Sequence, residues 1–430
     1  MSELLVKPSG PLRGKIGVQG DKSMSHRAVI MSSIAEGDTQ IEGLLFGEDV
    51  RATMSAFQTM GVSMEEDEQA ERLAVRGKGT SPLSGHQGDI YLGNSGTSMR
   101  LLSGLFSGLT TEVVLGGDES LNRRPMKRII DPLRMMGADI RGTEKHTAPL
   151  SIRGGGLSAI EYEMPKASAQ VKSSVLLAGL NASGTTRVKE PGPTRDHTEL
   201  MFPAFGVKVK KDGPWSSIEG GQKLEGAGKI VVPGDFSSAA FFIVAALIVP
   251  DSGVTINGVG LNPTRTGLLD ILLEMGAKIS IENKRMLGKE PVGDIVTEQS
   301  CLKGVDIRGE LVPRAIDEFP VLCVAAAAAE GKTSIREAAE LRVKESDRIS
   351  SMATVLKSMG VKVEEYDDGI DIYGGSEIKG ASVRAELDHR VAMSATVAGL
   401  VASGETVVEG AETIGTSFPG FFARLTELSR

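Results

Sequence analysis

Two hydrophobic patterns follow one another along the chain. Runs rich in Ala, Ser and Leu carry apolar residues at helical spacing and stop at a Gly or Ser-Gly break. Short segments follow in which apolar and polar residues alternate as in a β-strand, such as TRVKE, TSIREA and ETVVEG. A second helical segment then begins at a charged turn and usually ends in Met-Gly, before valines and isoleucines that predict another strand.

This order recurs six times, at intervals of about 70 to 80 residues. The copies begin near Gly20, Gly93, Lys166, Gly234, Ile316 and Leu387. Two segments are nearly identical: residues 14–21 read GKIGVQGD and residues 228–235 read GKIVVPGD. Such self-similarity indicates a repeat architecture. We therefore expect two similar α/β domains of three repeats each, with hinges at the two GKI segments.

The length of 430 residues also favours two domains, because single cores stop growing at roughly 250 to 300 residues. The first GKI copy lies about 14 residues from the N-terminus. The most economical division therefore assigns residues 1–20 and 235–430 to one domain and residues 21–234 to the other. An extended solenoid is the alternative, but it needs shorter repeats with uniform polar faces.

The amino-acid composition argues against several classes of function. Apolar residues make up 40% and charged residues 24%, as in soluble globular proteins. A formal charge of −8 and an aromatic content of 4% argue against nucleic-acid binding, which uses basic patches and base stacking. Two cysteines are too few for a disulfide framework or a zinc site, and the five histidines lack ligand spacing such as HExxH. We expect no metal.

The chain carries no sign of membrane insertion or secretion. No charged start precedes an apolar stretch at the N-terminus. The longest apolar run, Ala239 to Pro250, fits a buried helix better than a membrane span. We expect a cytoplasmic protein.

Unusual polar and charged side chains stand at the predicted helix starts. They are Lys22, Ser23 and Arg27 in GDKSMSHR, Asn94, Thr97 and Arg100 in GNSGTSMR, Ser168, Gln170 and Lys172 in SAQVK, Asp317 in AIDEFP, and Asp388, His389 and Arg390 in LDHR. Helix N-termini favour anions through their free N–H groups and positive dipole end. If the repeats share one geometry, these starts converge between the domains, and we expect an anionic ligand there.

The second helical segments add further charges: Arg124, Arg195, Arg265, and the Lys344, Glu345, Arg348 set of RVKESDR. The alternating charges of RVKESDR predict Lys344 and Arg348 one helical turn apart, either as binding groups or as a solvated helix face. Asp317 is either a helix cap or a proton acceptor. GNSGTSMR lacks the Gly-Lys-Ser/Thr ending of a nucleotide P-loop, although Gly96 would let a ligand approach the backbone closely.

In this order, GDKSMSHR, GNSGTSMR, RRPM, SAQVK, TRDHTE, NPTRTG, AIDEFP, RVKESDR and LDHRVAMS together resemble the 5-enolpyruvylshikimate-3-phosphate synthase family, over about residues 7–424. SAQVK and TRDHTE are similar to its class II branch. The resemblance implies two domains of three βαβαββ units each, an inside-out α/β barrel, joined by a two-stranded hinge. It implies a monomeric, cofactor-free, cytoplasmic transferase of the shikimate pathway, which leads to chorismate and aromatic amino acids.

The resemblance also implies roles for single residues. The residues that it assigns to the binding of shikimate 3-phosphate are Lys22, Ser23, Arg27, Ser168, Ala169, Gln170, Arg195, Asp317 and Lys344. The residues that it assigns to the binding of phosphoenolpyruvate are Lys22, Asn94, Gly96, Arg124, Gln170, Arg348, His389 and Arg390. Asp317 would accept the hydroxyl proton of shikimate 3-phosphate, and Glu345 and Lys22 are both candidates to move the methylene proton of phosphoenolpyruvate.

One segment departs from the family. Many relatives carry a lysine before a Thr-Phe-Pro-like turn near the C-terminus, but IGTSFPGF has none, and the last lysine is Lys379. The alternatives are a UDP-N-acetylglucosamine enolpyruvyl transferase, which usually carries a reactive cysteine on a mobile loop near the middle of its chain, and a noncatalytic protein that closes its domains on a phosphorylated ligand. Neither Cys301 nor Cys323 is predicted to lie on such a loop.

Overall fold

The computed structural model describes residues 3–81 and 83–429. They form two compact units. The central unit comprises Gly20–Val232 together with Leu287–Glu290. The terminal unit comprises the described residues of Met1–Gln19, Pro233–Met286 and Pro291–Arg430. The segment Leu287–Glu290, which the sequence placed with the terminal residues, is thus grouped with the central unit.

The elements follow the predicted order through the first three repeats. The chain opens with β1 (Glu3–Val6) and β2 (Arg13–Gly17). The first repeat continues with α1 (Lys22–Ile34), β3 (Glu36–Glu42), α2 (Glu48–Thr59), β4 (Ser63–Asp67) and β5 (Arg72–Lys78). The second contains β6 (Gln87–Tyr91), α3 (Gly96–Gly108), β7 (Glu112–Gly116), α4 (Glu119–Arg123), α5 (Lys127–Met135), β8 (Asp139–Arg141) and β9 (Leu150–Arg153). The third contains β10 (Glu161–Glu163), α6 (Ala169–Gly179), β11 (Thr185–Lys189), α7 (His197–Met201), a 3₁₀ turn (Phe202–Phe205), β12 (Val209–Asp212) and β13 (Trp215–Glu219).

The second half repeats this order until its last unit. The fourth repeat contains β14 (Gly228–Val231), α8 (Phe236–Ile248), β15 (Gly253–Gly260), α9 (Gly267–Glu274), β16 (Lys278–Leu287) and β17 (Glu290–Glu298). The fifth contains β18 (Asp306–Ile307), α10 (Leu311–Ala315), α11 (Phe319–Ala328), β19 (Gly331–Ile335), a 3₁₀ turn (Ala339–Val343), α12 (Arg348–Ser358), β20 (Lys362–Tyr366) and β21 (Gly369–Gly374). The sixth contains β22 (Ser382–Arg384), α13 (His389–Gly399), β23 (Thr406–Glu409), a 3₁₀ turn (Ala411–Thr416) and α14 (Phe421–Leu428).

Local sequence accounts for many of the helix ends. Ser95 caps α3 by accepting a hydrogen bond from the backbone of Ser98. The Met-Gly pairs follow the second helices as predicted: after α2 and α5, Gly61 and Gly137 have φ of +88° and +98°, a conformation that suits glycine.

Each repeat builds one sheet with a recurring strand order, which the second repeat illustrates. Strand β6 runs parallel to β7, β7 is antiparallel to β9, and β9 is antiparallel to β8. Among the described residues each unit contains three sheets, all of four strands except that of β1, β23 and β22, which has three. This arrangement confirms the α/β class and the three repeats in each unit.

The two GKI strands exchange places between the units. Strand β14 precedes α8 in the chain but pairs with β3 of the central unit, with Ile230 opposite Ile41. Strand β2 precedes α1 but pairs with β15 of the terminal unit, with Ile16 opposite Ile256. In the sixth repeat, β1 supplies the strand antiparallel to β23. The chain therefore passes between the units at the two segments that the sequence marked as hinges.

Each unit has its own hydrophobic core. In the central unit, α3 packs closely on α6 because Gly104 has no side chain: an added Cβ would lie 2.0 Å from the backbone oxygen of Ser174. None of the helices among the described residues is long and apolar enough to cross a membrane.

Candidate active site

The start of α1 presents one candidate cation. Asp21 caps the helix by accepting a hydrogen bond from the backbone N–H of Met24 at 2.8 Å. Lys22 follows and is half-buried. Its Nζ lies 3.0 Å from Oδ2 of Asp49, on α2. Asp49 thus holds the ammonium group of Lys22 beside the helix N-terminus.

Arg27 lies one turn further along α1 and is buried. Its Nε donates to Thr198 Oγ1 and its Nη2 to Ser173 Oγ, each at 2.7 Å, and its Nη1 donates to the backbone oxygen of Ser23 at 2.9 Å. Burial lowers the pKa of Arg27 to about 10, which leaves it a cation at neutral pH. Two neutral hydroxyl groups therefore fix the direction of this guanidinium without neutralising it.

The helix starts of α3 and α6 are joined by Gln170. Its Oε1 accepts from Arg100 Nη1 at 2.6 Å, and its Nε2 donates to Thr97 Oγ1 at 3.0 Å. A Cβ added to Gly96 would lie 2.8 Å from Arg100 Nη1 and 3.0 Å from Arg124 Nη1. The absence of a side chain at Gly96 thus leaves room for both guanidinium groups beside the backbone.

Asn94 orients Arg124. The Oδ1 of Asn94 accepts a hydrogen bond from Nη2 of Arg124, and its Nδ2 donates to Asp118 Oδ2 at 2.7 Å. The side chain of Arg124 is buried. Two arginines and two amide side chains from three separate segments therefore meet in the central unit.

The remaining central-unit candidates lie around the start of α6. Ser168 caps this helix by accepting from Val171 N at 3.4 Å, and Ala169 is its first residue. Arg195 lies in the segment before α7, half-buried, and its charge acts on Arg27. The central unit thus gathers all its sequence-predicted candidates at the starts of α1, α3 and α6 and in the segments before α5 and α7.

In the terminal unit, the predicted charges surround Asp317, in the turn before α11. Its Oδ1 lies 3.8 Å from Lys344 Nζ and 3.5 Å from Arg348 Nη1. Its backbone oxygen accepts from Arg390 Nη1 at 2.7 Å. Removal from water lowers the pKa of Lys344, although the attraction of Asp317 opposes this shift.

Arg348 is almost fully buried and binds two further carboxylates. Its Nε lies 2.8 Å from Asp388 Oδ2, and its Nη2 lies 2.7 Å from Glu345 Oε2. Burial opposes the charge of Arg348, but Asp388 and Glu345 outweigh it and raise its pKa above the ordinary value. Asp388 also accepts from the backbone of Arg390 at 2.9 Å, next to His389, the buried first residue of α13. The terminal unit therefore brings all six of its predicted site residues together.

One detail of the sequence interpretation was wrong. Lys344 and Arg348 do not stand one turn apart on a helix: Lys344 follows a 3₁₀ turn, and α12 begins only at Arg348. The reason is that Asp347 caps α12, with its side chain accepting from Ser350 N at 3.1 Å.

Arg265, which was expected to add to the anion-binding charges, lies beside the start of α8. It is buried, and its Nη2 donates to Asp235 Oδ1 at 2.9 Å and to Ser237 Oγ at 2.8 Å. It therefore completes the start of α8 within the protein.

Several residues that shape the site escaped the sequence analysis. Asp49, Ser173 and Thr198 gave no signal as partners of Lys22 and Arg27, because they lie 27 or more positions away. Arg100 and Asp388 were noted at helix starts but received no role. Among residues 3–81 and 83–429, no group of three or more His, Cys, Asp or Glu side chains is placed to hold a metal ion.

Comparison with known proteins gives one family. The family model described as EPSP synthase (3-phosphoshikimate 1-carboxyvinyltransferase) matches residues 6–425. A 3-phosphoshikimate 1-carboxyvinyltransferase of Geobacter metallireducens is 52% identical over 430 residues, which is 100% of both chains. One of Nitrosococcus oceani is 52% identical over 97% of this chain and 94% of its own.

Solved structures agree. The EPSP synthase of Acinetobacter baumannii aligns with a TM-score of 0.88 and 48% identity, over 100% of this chain and 98% of that one. The enolpyruvyl transferase NikO from Streptomyces tendae aligns with a TM-score of 0.78 at 18% identity, covering 99% and 97% of the chains, and supports the fold alone. These matches confirm the resemblance drawn from the motifs. The chain belongs to the EPSP synthase (3-phosphoshikimate 1-carboxyvinyltransferase) family.

Proposed function

We propose that the side chains gathered in the two units bind the two substrates of enolpyruvyl transfer. As a member of its family, the chain is a 3-phosphoshikimate 1-carboxyvinyltransferase. It transfers the enolpyruvyl group of phosphoenolpyruvate to the 5-hydroxyl of shikimate 3-phosphate and releases phosphate, a step in the biosynthesis of aromatic amino acids. The proposal concerns which residues perform this reaction.

Shikimate 3-phosphate is assigned to one set of residues. The set comprises Lys22, Ser23, Arg27, Ser168, Ala169, Gln170, Arg195, Asp317 and Lys344. The support is that the charges of Arg27 and Arg195 act on each other, as two cations around one phosphate would, and that Arg27 donates to Ser173 on α6, a helix whose N-terminus presents N–H groups to an anion.

Phosphoenolpyruvate is assigned to a second set. This set comprises Lys22, Asn94, Gly96, Arg124, Gln170, Arg348, His389 and Arg390. In the central unit, the open backbone at Gly96 lies beside Arg124, whose guanidinium is oriented by Asn94. Such a fork matches a carboxylate or phosphate group. The C-terminal lysine of many relatives has no counterpart in this set.

The observation that most strongly supports this assignment is the position of Asp317, a carboxylate flanked by Lys344 and Arg348. In the reaction, the 5-hydroxyl oxygen bonds to the central carbon of phosphoenolpyruvate while the methylene carbon gains a proton. The adduct then loses that proton from its methyl group and expels phosphate. Asp317 accepts the hydroxyl proton, Glu345 or Lys22 carries the methylene proton, and the arginines stabilise the phosphate and carboxylate charges.

We further propose that the two units are the domains that close on the substrates, that the chain acts as a monomer, and that it works in the cytoplasm without a cofactor. The support for closure is that each substrate's set includes residues of both units.

The test is release of inorganic phosphate from a mixture of shikimate 3-phosphate and phosphoenolpyruvate. Asp317→Ala should lower kcat by about 10² to 10⁴-fold, as for loss of a general base, and weaken substrate binding much less. The matched control is Asp306→Ala, which removes an exposed aspartate paired with Arg308 in the same unit. It should leave kcat unchanged.

Two outcomes would contradict the assignment. Phosphate release with UDP-N-acetylglucosamine but not with shikimate 3-phosphate would identify the related enolpyruvyl transferase. Tight binding of both substrates without turnover would identify a noncatalytic binding protein.

A further inference from the structure

A buried lysine lies behind the residues assigned to shikimate 3-phosphate. Lys172 is on the first turn of α6, and its side chain is fully buried. Its Nζ lies 2.8 Å from Glu190 Oε1 and 2.7 Å from Glu199 Oε1. Both carboxylates are themselves buried. None of the three residues belongs to the substrate-binding sets.

Glu190 connects this lysine to the segment that carries Arg195. It directly follows β11, and its Oε2 accepts hydrogen bonds from Thr194 N at 2.9 Å and Thr194 Oγ1 at 2.5 Å. Thr194 is the residue before Arg195. The pair of Lys172 and Glu190 therefore fixes the segment between β11 and α7 from inside the protein.

Glu199 connects the same lysine to the residues that hydrogen-bond Arg27. Glu199 is on α7, next to Thr198, whose Oγ1 accepts from Arg27 Nε at 2.7 Å. Ser173, next to Lys172 on α6, lies 2.7 Å from Thr198 Oγ1 and accepts from Arg27 Nη2. The ion pair and the hydroxyl pair thus join α6 to α7 side by side.

We propose that Lys172 is a positioning residue for shikimate 3-phosphate, because its bonds to Glu190 and Glu199 hold Arg195 and Arg27 in place before the substrate arrives. This inference rests on the proposed assignment of Arg27 and Arg195 to that substrate. Without Lys172, Glu190 would keep only the half-exposed Lys211, the cation between the two buried carboxylates would be lost, and their repulsion would separate the segments that carry them. A small misplacement of binding groups is enough to lose much of their effect.

The charge states fit this role. Burial opposes the charge of Lys172, but the attraction of Glu199 and Glu190 outweighs it and holds the lysine pKa above its ordinary value. Burial likewise opposes the charge of Glu190, but Lys172 keeps the pKa of that carboxyl below its ordinary value. The pair therefore stays ionised around neutral pH.

The experiment compares Lys172→Met, Glu190→Gln and Lys211→Met. For the first two, we expect the KM for shikimate 3-phosphate and its Kd from calorimetry to rise on the order of tenfold to a hundredfold. The KM for phosphoenolpyruvate and kcat should stay within about twofold of wild type. Lys211→Met is the matched control: its Nζ lies 2.8 Å from the same Glu190 oxygen, but its side chain is 48% exposed. It should bind both substrates as wild type does.

Glu190→Gln provides a second test in case the Lys172→Met protein does not fold. The variant keeps the side-chain shape and leaves Lys172 paired with Glu199, but an amide can accept at only one of its two ends. It must therefore lose the bond from Thr194 N or the bond from Lys172. Should Lys172→Met not fold, Glu190→Gln decides the question. Lys172→Arg should recover part of the affinity, since it restores the cation.

The outcomes separate the two proposals. A folded Glu190→Gln protein with the wild-type KM for shikimate 3-phosphate, or with both KM values raised alike, would overturn the positioning role. Arg27→Ala and Arg195→Ala test the substrate site itself. If these two variants bind shikimate 3-phosphate normally, the assignment of the site fails; if they bind it weakly and Glu190→Gln does not, only the role of Lys172 fails.

Discussion

His26 shows how a single buried side chain can make the stability of the protein depend on pH. It is fully buried on α1, and its Nδ1 lies 2.8 Å from Thr53 Oγ1. Burial lowers its pKa from 6.5 to about 3; the charges of Lys22 and Arg27 add to this shift, and Asp49 and Asp21 oppose it. His26 is therefore neutral in the folded protein at pH values where it would be protonated in the unfolded chain.

The sign of the effect follows from proton uptake. Below pH 6.5 the unfolded chain binds a proton that the folded protein does not, so stability falls as the pH falls from about 6.5 towards 3. At pH 5 the loss from this residue is about 2 kcal/mol. We expect His26→Gln to remove that part of the pH dependence. Urea unfolding at pH 7 and pH 5 measures it, with the fluorescence of Trp215, the single tryptophan and a central-unit residue, as the probe.

For each protein, the unfolding free energy at pH 5 is compared with that of the same protein at pH 7. The difference in unfolding free energy between pH 7 and pH 5 should be about 2 kcal/mol smaller in His26→Gln than in wild type. Equal differences in the two proteins would show that His26 takes up its proton in the folded state as readily as in the unfolded one.

At the scale of elements, the start of helix α8 differs from the starts of the helices that carry candidate substrate-binding residues. Asp235 caps this helix and also accepts from Arg265 Nη2 at 2.9 Å. The cation is thus held by the protein, and both side chains are buried. Removing one partner of a buried pair costs about 3 to 5 kcal/mol, because the other charge stays uncompensated. We expect Arg265→Met to lose stability of this order while both KM values remain close to wild type.

Arg314→Met is the control for this prediction. Arg314 pairs with Asp270 at 2.6 Å, but the aspartate is 49% exposed. An exposed pair contributes about 0 to 1 kcal/mol. Thermal unfolding followed by circular dichroism compares the two variants. A tenfold rise in either KM for Arg265→Met without a loss of stability would instead place Arg265 in contact with substrate.

The helices also show what local sequence can and cannot predict. The starts of α1, α3, α6 and α13 were predictable, since Asp21, Ser95, Ser168 and Asp388 are capping residues with local hydrogen bonds. The charges within RVKESDR suggested a longer helix because their spacing suits one, and only the cap at Asp347 excludes it. Contacts such as that of Lys22 with Asp49 depend on packing between helices, which no local pattern records.

At the scale of the whole molecule, the partner strands of β2 and β14 were beyond local prediction for a physical reason. The two GKI segments have nearly the same eight residues, so each strand has the same local preference for either sheet. Their pairing is decided by chain connectivity: β14 ends the central unit and β2 lies within the terminal one. The division of the chain near residues 20 and 234 predicted which unit each strand joins, while the partner strand within that unit required the complete fold.

The distribution of charge leads to the last prediction, which is that the protein becomes more compact when both substrates bind. Lys22, Arg27 and Arg124 lie in the central unit, and Lys344, Arg348 and Arg390 lie in the terminal one. We expect the substrate anions, which are assigned to cations of both units, to draw the units together. Small-angle scattering should therefore give a smaller radius of gyration with shikimate 3-phosphate plus a phosphonate analogue of phosphoenolpyruvate than for the free protein.

Salt and a charge variant test the electrostatic cause. High salt shortens the range of this attraction to about 3 Å at 1 M, so the compaction that the ligands produce should become smaller. Arg390→Met removes one terminal-unit cation and should reduce the compaction that the ligands produce, because it also removes an anion contact. Lys332→Met, which removes a half-exposed lysine of the same unit, should compact as wild type does. An unchanged radius of gyration with both ligands bound would mean that the units do not close, and that the substrates meet their binding groups in a protein that is already in its final shape.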